Sequence, residues 1–266
     1  MKRIDCKRDD LELYVLLAGT YSADAGAAMG VYPYKLWHDK IDVDENYCIR
    51  MGLNCLLIKT ADANILVDVG IGDYTSERQK KIYNPSKSTL VEELNMAGLD
   101  ADDINVIVFT HLHHDHVGGI LNEDKEFVFK NAKYIVQRLE FETALHPDML
   151  NMAAYSLVEH YKMLSENAIV ELVDGTKEIY KGIWLEKIDG HSHGMQMVKI
   201  VDEDNVIYSA GDAFPTKFLL PPAITSAYEL SRKDLYFNKE KIISDLKKNG
   251  GKLVLSHDIE EAVVEF

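Results

Sequence analysis

The pattern of apolar and polar positions along the chain predicts many strands and few helices. Short apolar runs that end at Gly, Pro, Asn or Asp are typical of strands. The predicted strands cover residues 11–18, 48–59, 64–69, 104–109, 133–137, 168–173, 183–188, 197–201, 206–210 and 252–255. Helical spacing is found at 86–96, through most of 138–164 with a break near Pro147, and at 238–249, which Gly250 and Gly251 end.

The order of these elements indicates the fold class. Strands outnumber helices, and the helices fall between groups of strands, so we expect an α/β fold with two sheets inside and helices outside. Residues 20–47 are rich in Gly, Ala and aromatic residues and are predicted to be irregular. No linker, repeat or low-complexity tract divides the 266 residues, so we expect one domain that spans residues 1–266.

The composition limits the classes of function. Asp and Glu number 44 against 29 Lys and Arg, and the net charge of −15 disfavours nucleic acid as a partner. The N-terminus lacks an apolar signal segment, and no apolar stretch approaches the ~18 residues of a membrane span. The three cysteines, Cys6, Cys48 and Cys55, show no CxxC spacing and favour a reducing compartment. We therefore expect a cytoplasmic protein without a membrane partner.

The densest chemical signal directly follows the predicted strand 104–109. Imidazole and carboxylate groups together suit zinc, and also iron, manganese or cobalt. Alternate side chains of an extended segment project to the same side, so His111 and His113 can bind one ion while the next two ligands reach a second. The potential ligands in this segment are His111, His113, Asp115 and His116.

Three more predicted strands each end in a potential ligand. A single His or Asp at a strand end is more often a cap or turn residue. Together with the first loop, however, these side chains can converge on one sheet edge, where Asp212 is the candidate to bridge two cations. The predicted ligands are His111, His113 and His191 for one ion, Asp115, His116 and His257 for the other, and Asp212 for both.

Three neighbouring residues are placed outside this ligand set. His114 and His193 stand next to proposed ligands and are expected to face solvent or to make outer contacts. Asp68, at the end of the predicted strand 64–69, has two open interpretations. It either orients a ligand histidine or is an ordinary turn aspartate.

The motif HxHxDH at 111–116, with Gly118 and Gly119 close behind, resembles the signature of the metallo-β-lactamase superfamily. The resemblance implies an αββα sandwich, with two mixed sheets flanked by helices and a dinuclear site at one edge. The pattern is most similar to that of the N-acyl homoserine lactonases and related lactonases. Other segments similar to motifs of the family are Val67-Asp68-Val69-Gly70, Gly190-His191, Gly211-Asp212 and Ser256-His257-Asp258.

The resemblance also implies a chemistry. We expect a dinuclear-metal-dependent hydrolase of a small ester or lactone, with a metal-bridging hydroxide as the nucleophile. The cofactors are expected to be two divalent metal ions, zinc first, with iron, manganese or cobalt as alternatives. Asp212 and Asp115 are the candidate catalytic residues. The expected partner is a small-molecule substrate, and formation of a homodimer is left open.

One departure from the lactonase pattern bears on the substrate. The lactonases carry a tyrosine three residues after the bridging aspartate, where this chain has Pro215. Either another tyrosine such as Tyr228 replaces it, or the substrate differs. Candidates for apolar walls of a pocket are the segment 32–37 and the residues Phe214, Phe218 and 219–222.

Three alternatives to this function are kept. Thioester or phosphodiester hydrolysis would use the same fold and ligands. Iron-dependent oxygenation or non-catalytic binding of a metal or ligand would belong to another class of protein. Metal content discriminates between them, because two ions per chain favour the hydrolase, whereas one iron with oxygen uptake favours the oxygenase.

Overall fold

The computed structural model describes residues 1–266 and contains two sheets that pack face to face. In the first sheet the strands lie in chain order. β1 to β4 pair antiparallel, and β4 to β7 pair parallel. Its strands are β1 (Lys2–Ile4), β2 (Glu12–Asp24), β3 (Cys48–Lys59), β4 (Asn64–Val67), β5 (Val106–Val108), β6 (Lys133–Gln137) and β7 (Ile169–Val173).

The second sheet is formed by the C-terminal part of the chain. Its strands are β8 (Lys177–Tyr180), β9 (Ile183–Lys187), β10 (Gln196–Asp202), β11 (Asn205–Ser209), β12 (Lys252–Val254) and β13 (Val263–Glu265). Their order is β13-β12-β11-β10-β9-β8, and only β11 and β12 run parallel. Both sheets are therefore mixed, as predicted.

Helices cover the outer faces of both sheets, and two short helices lie in the connecting loops. They are α1 (Ala25–Met29), α2 (Tyr34–Trp37), α3 (Glu77–Tyr83), α4 (Leu90–Met96), α5 (His114–Val117), α6 (Arg138–Leu145), α7 (Val158–Asn167) and α8 (Arg232–Asn249). The two short helices in the loops are α2 and α5. Among them, α4 packs on β2 and α8 packs on β11, which confirms the predicted αββα sandwich. None of the helices is both long and apolar enough to cross a lipid bilayer.

Three buried apolar clusters hold these layers together. A cluster of 18 residues that includes Leu56 and Ile200 fills the space between the sheets. Clusters of 35 and 13 residues, which include Leu57 and Leu253 respectively, lie between each sheet and its helices. Leu56 and Leu57 are both buried because successive side chains point to opposite faces of a sheet that is covered on both sides. Such strands therefore appear in the sequence as continuous apolar runs.

Part of the segment predicted to be irregular is a strand, so that prediction was wrong there. β2 does not end near Gly19 but continues to Asp24. Its pairing with β3 shifts register between Leu17 and Thr20, and the strand then resumes. The remainder of 20–47 contains α1 and α2. Gly19 is thus the site of a bulge rather than the end of a strand.

Two helices also begin at residues other than those that the sequence pattern predicts. The helix predicted at 238–249 begins at Arg232, where the Ser231 hydroxyl accepts the backbone N–H of Asp234. The helix predicted at 86–96 begins only at Leu90. The sequence pattern does not predict β1, β8, β13 or α3, all of which are short and only partly buried.

Two glycines allow the ligand-rich segment to pack directly against the chain that follows β4. The backbone N–H of Val69 donates to the carbonyl oxygen of His116 at 2.9 Å. A Cβ atom on Gly118 would lie 2.1 Å from the carbonyl oxygen of Ile71. On Gly119 it would lie 2.2 Å from that of Val69. No side chain fits at either position unless the backbone moves.

We expect Gly118→Ala to lower the free energy of unfolding by about 2 kcal/mol or more, because the added methyl group overpacks a backbone contact. Urea unfolding of the metal-free protein measures this loss. Gly26→Ala in α1 is the matched control, where the nearest heavy atom to a new Cβ is 3.3 Å away on the Asp24 side chain. The control should be neutral or slightly stabilising. Equal effects of the two changes would contradict the close approach described here.

Candidate metal centre

The predicted ligands meet where loops from both sheets converge. The segment 111–116 follows β5 of the first sheet, and its second half forms the short helix α5. His191, Asp212 and His257 lie in loops that follow β9, β11 and β12 of the second sheet. All seven predicted ligands are brought together, and their side chains are buried or nearly so.

The seven side chains form two groups, and in each group the potential ligand atoms lie within 4.8 Å of one another. The six side chains predicted for one ion each fall in separate groups as expected, and Asp212, predicted to serve both ions, lies with the second group. We call them the first group, which consists of His111, His113 and His191, and the second group, which consists of Asp115, His116, Asp212 and His257.

Asp212 lies between the two groups. Its Oδ2 is 3.4 Å from Nε2 of His191 in the first group. Its Oδ1 is 3.2 Å from Nε2 of His116 and 3.0 Å from Nε2 of His257 in the second. The two oxygens of one carboxylate thus face different groups, which is the arrangement a bridging ligand needs.

Unpaired nitrogens show that these residues fit divalent metal ions. The buried Nε2 atoms of His111, His116 and His257 have no hydrogen-bond partner. Oδ1 of Asp212 lies 3.2 Å from the Nε2 atom of His116 and 3.0 Å from that of His257. A buried polar atom without a partner costs free energy, and a cation bound to its lone pair would remove that cost. Imidazole and carboxylate donors are the set that zinc and similar ions accept.

On the other side of the ring, the Nδ1 atoms of two histidines lie close to hydrogen-bond acceptors outside the two groups. Nδ1 of His257 lies 2.8 Å from the carbonyl oxygen of Gly52, and Nδ1 of His191 lies 3.0 Å from Oε2 of Glu229. Acceptors at these positions place the proton on Nδ1, so the lone pair of Nε2 points into the centre. The tautomers suited to metal binding are therefore set by the fold.

Asp68 orients the centre, which decides between its two interpretations. Its Oδ2 lies 2.9 Å from Nδ1 of His116 and accepts the Thr110 hydroxyl at 2.7 Å. The Thr110 hydroxyl also lies 3.0 Å from Nδ1 of His111. Because this hydroxyl donates its one proton to Asp68, it accepts from His111. One carboxylate thereby orients a histidine of each group, and it does so with a φ of 59° at Asp68 itself.

Glu140, in α6, is a residue that sequence reasoning missed. It is fully buried and accepts four hydrogen bonds from three loops. Oε1 accepts Leu112 N at 2.8 Å and the Tyr155 hydroxyl at 2.6 Å. Oε2 accepts the Ser192 hydroxyl at 2.6 Å and Gly194 N at 3.2 Å. Leu112 stands between two ligands of the first group and Ser192 follows the third, so Glu140 holds the backbone of the whole first group.

Glu229 is a second residue that the sequence pattern did not reveal. Its side chain is only 2% exposed and contacts His191 as well as the Ser226 hydroxyl, which donates to Oε1 at 2.6 Å. Neither Glu140 nor Glu229 belongs to a motif, and both lie far along the chain from the histidines they serve. The feature that marks Glu140 is the burial of its charged side chain in a helix. Burial cannot be seen without the structure.

Charges around the centre favour cations. Burial opposes protonation of His191, but Glu229 and Asp212 outweigh it and raise its pKa to about 9. Burial also opposes ionisation of Asp212, yet three neighbouring histidines hold its pKa well below the usual range. Burial, reinforced by adjacent imidazoles, lowers the pKa of His111 well below its usual value. Asp212 and His111 are thus in the protonation states in which such groups bind metal, whereas a metal ion at the first group would displace the proton that the raised pKa of His191 retains at neutral pH.

His114 and His193, which were predicted to lie outside the ligand set, belong to neither group. His193 is exposed. His114 is buried, but it belongs to neither group, and its Nδ1 lies 3.3 Å from the carbonyl oxygen of Ala154. Its ring packs on Tyr83, with 4.5 Å between ring centroids.

Tyrosine side chains also approach the centre from β2 and from the loop before α8. Tyr21, in the part of β2 that the pattern did not predict, packs edge-on against His257 with 5.4 Å between ring centroids. Burial and the charges of Asp115 and Asp212 raise the pKa of Tyr21 well above its usual value, so its phenol stays protonated. Tyr228 is half-exposed. Pro215 is buried and offers no phenol.

Comparison with known proteins places the chain among metal-dependent hydrolases. The model of the metallo-beta-lactamase superfamily matches residues 50–257. An N-acyl homoserine lactonase of Bacillus thuringiensis is 27% identical over 223 residues, which is 78% of this chain and 81% of that protein. A probable metal-dependent hydrolase from Staphylococcus aureus has a TM-score of 0.91 at 25% identity, over 98% of this chain and 94% of that one. AidC, described as a dizinc quorum-quenching lactonase, has a TM-score of 0.79 at 22% identity, over 98% and 92%.

We expect Glu140→Gln to weaken metal binding at the first group by about 10- to 100-fold. The amide nitrogen that replaces one carboxylate oxygen cannot accept the hydrogen bonds that this oxygen receives, so one of the ligand loops loses its anchor. Zinc titration against a competing fluorescent chelator should then show one ion bound as tightly as before and one bound more weakly.

Glu142→Gln is the matched control for this change, since Glu142 lies in the same helix and is exposed. It should leave the titration curve unchanged. Equal weakening of both ions by Glu140→Gln, or no weakening at all, would contradict the anchoring role of Glu140.

Proposed function

The chain belongs to the metallo-beta-lactamase superfamily, and we propose that it is a metal-dependent hydrolase of a small ester or lactone. The single observation that carries this proposal is the pair of ligand groups joined by Asp212. We propose that both groups bind a divalent ion, with zinc first and iron, manganese or cobalt as alternatives. When bound, such ions supply Lewis-acid polarisation of a carbonyl oxygen and activation of water.

The side chains of the centre have separate tasks in this proposal. The histidines hold the ions, and Asp68, Glu140 and Glu229 keep those histidines in place. Asp212 is the most exposed of the proposed ligands, with 13% of its side chain accessible. We assign to its carboxylate the transfer of a proton from the attacking water to the leaving oxygen. Asp115 completes the second group, with Oδ2 at 3.6 Å from Nε2 of His257.

The serines beside the centre support water as the nucleophile. Ser192 donates to Glu140, and Ser256 donates to Oδ1 of Asp212 at 2.9 Å. Neither serine hydroxyl is hydrogen-bonded to a histidine that could act as its general base. Of the cysteines, Cys55 is buried, and burial raises its pKa well above the usual value, so its thiol is not activated. The side chains therefore favour attack by water over a covalent intermediate.

The relatives point to esters and lactones as the substrate class. The N-acyl homoserine lactonase of Bacillus thuringiensis is similar over most of its length. Pro215 stands where the lactonase pattern has a tyrosine, so we propose an ester or lactone without committing to homoserine lactone. The net charge of −15 favours a neutral small molecule over nucleic acid as the partner.

A hydrolysis screen with zinc-loaded protein tests this proposal. We expect turnover of aryl esters or lactones in preference to thioesters and phosphodiesters. Asp212→Ala should lower kcat/KM by about 100-fold or more and reduce bound metal, because both groups then lose the carboxylate that lies between them. His114→Ala is the control and should retain most activity, since His114 belongs to neither group. Near-normal activity of Asp212→Ala would exclude its assigned role.

Removal of the metal should lower the thermal stability of the protein. Ions bind only the folded site, so saturation with zinc stabilises it by at least about 3 kcal/mol. For a chain of this size that corresponds to a rise in Tm of roughly 6 °C or more. Differential scanning calorimetry with and without a strong chelator measures the difference, and added zinc should restore it. An unchanged Tm would argue against metal binding in these two groups.

A further inference from the structure

Helix α8 contains one residue that does not fit its buried face. The buried residues of this helix are Leu235, Lys239, Ile242 and Leu246, which recur at helical spacing. The three apolar ones belong to the cluster between the second sheet and its helix. Lys239 occupies the remaining position and is the only buried lysine of the chain. Burial of an amine at such a position costs free energy unless the amine finds partners.

The partners of the Lys239 amine lie on one stretch of chain. The amine donates to the backbone carbonyl oxygens of Leu219 and Ile224, the latter at 2.8 Å. The centre of the Phe214 ring lies 5.0 Å from the same nitrogen. All three partners belong to residues 214–224, which we call the connecting segment. Lys239 thus attaches the connecting segment to α8.

This attachment does not depend on a charge. Burial lowers the pKa of Lys239 to about 7, although the charge of Glu229 opposes the shift. A neutral amine still has two N–H groups, and the two carbonyl oxygens can accept one each. Lys239 therefore supplies hydrogen-bond donors here rather than one half of an ion pair.

The connecting segment begins two residues after Asp212 and packs on the loop that contains His257. The backbone N–H of His257 donates to the carbonyl oxygen of Pro215 at 2.8 Å, and that of Lys217 donates to Oδ2 of Asp258 at 3.0 Å. The segment makes both contacts through backbone atoms. Asp212 and His257 are the members of the second group that lie in loops of the second sheet. The connecting segment therefore adjoins both of these proposed ligands.

β3 supplies a separate support for the same loop. The backbone N–H of Gly52 donates to the carbonyl oxygen of His257 at 2.9 Å, and the carbonyl oxygen of Gly52 lies 2.8 Å from Nδ1 of His257. The position of the His257 ring is thus fixed by one support from the first sheet and one from the connecting segment. Loosening of the segment would leave only the first of them.

Residues that follow the connecting segment are fixed without Lys239. Nε of Arg232 donates to Oγ1 of Thr225 at 3.0 Å. This contact holds the start of the stretch that leads to Glu229, whose carboxylate contacts His191 of the first group. Loss of the Lys239 amine should therefore affect the second group more than the first.

We propose that Lys239 is a positioning residue for the second group. Its amine fixes the connecting segment on α8, and the segment supports the loops of Asp212 and His257. Lys239 is thereby the counterpart of Glu140, which anchors the first group. The inference rests on the proposed binding of a metal ion by the second group. It adds to that group a residue whose side chain is hydrogen-bonded to none of the proposed ligands.

Replacement of Lys239 by methionine tests this role. Methionine keeps an unbranched side chain of similar volume among apolar neighbours, but it cannot donate a hydrogen bond. In a zinc titration against a competing fluorescent chelator, we expect Lys239→Met to bind one ion about tenfold more weakly and the other as tightly as the wild-type protein does. Lys241→Met is the matched control, since Lys241 lies in the same helix with 71% of its side chain exposed. It should leave both affinities unchanged.

A double variant identifies the ion that is affected. Glu140→Gln is expected to weaken the ion of the first group, so its combination with Lys239→Met should weaken both ions. A double variant that still binds one ion as tightly as the wild-type protein would show that Lys239 acts on the first group, and the inference would be wrong.

Chemical rescue separates hydrogen-bond donation from a general loss of packing. Lys239→Ala removes the three methylene groups and the amine that follow Cβ, and n-propylamine contains these same atoms. We expect millimolar n-propylamine to restore most of the zinc affinity that Lys239→Ala loses. tert-Butylamine is branched, does not fit the space of an unbranched side chain and should not restore it. Rescue by neither amine, or by both equally, would reject donation by the amine as the role of Lys239.

The outcomes separate this inference from the proposed function. A wild-type protein that binds no zinc would reject the proposed metal centre itself. Two ions bound equally well by the wild-type protein and by Lys239→Met would reject only the role of Lys239. Near-ultraviolet circular dichroism of the metal-free variant checks its packing. A Lys239→Met protein that does not fold would show that the whole domain needs the amine, which would also contradict a role confined to the second group.

Discussion

The rest of the structure depends on one constraint, which is that two carboxylates are buried among five imidazoles and need partners there. A buried anion is tolerated only beside donors or cations. Asp212 meets this demand by facing both groups, with contacts of 3.0 to 3.4 Å to three histidines from three different loops. Such distances require loops from both sheets to end at one place. The packing of the two sheets is therefore also what positions the chemistry.

Hydrogen-bond acceptors outside the centre fix the positions of its histidines. Asp68 serves a histidine in each group, Glu140 anchors the backbone of the first group, and Glu229 contacts His191. Asp68 and Glu229 direct the histidine protons outward, so that lone pairs point inward. The negative charge they add also favours cations at the centre. Loss of one of these contacts would change the orientation of a histidine, and it would not remove a contact with the substrate.

The segment 215–218 lies beside the centre and is anchored to the loop that carries His257. The backbone N–H of His257 donates to the carbonyl oxygen of Pro215 at 2.8 Å, and that of Lys217 donates to Asp258 at 3.0 Å. The residues that hold the centre together therefore also shape the space beside it. Variation in the segment 215–218 can change the accepted substrate without disturbing the proposed ligands, because loops on a rigid scaffold tolerate sequence change. Pro215 illustrates such variation.

The amino-acid sequence by itself determined the layered fold class and predicted which side chains gather in the two groups, because strand periodicity and the HxHxDH spacing are local properties of the chain. It also placed His114 and His193 outside those groups. Only the tertiary structure decided the passage of β2 beyond Gly19, the orienting role of Asp68, and the involvement of Glu140, Glu229 and Tyr21. These depend on contacts between residues far apart in the chain, and such contacts leave no periodic or motif signal. The physical reason is that burial and partner choice arise from packing of the whole molecule, whereas periodicity and ligand spacing are set by neighbouring residues.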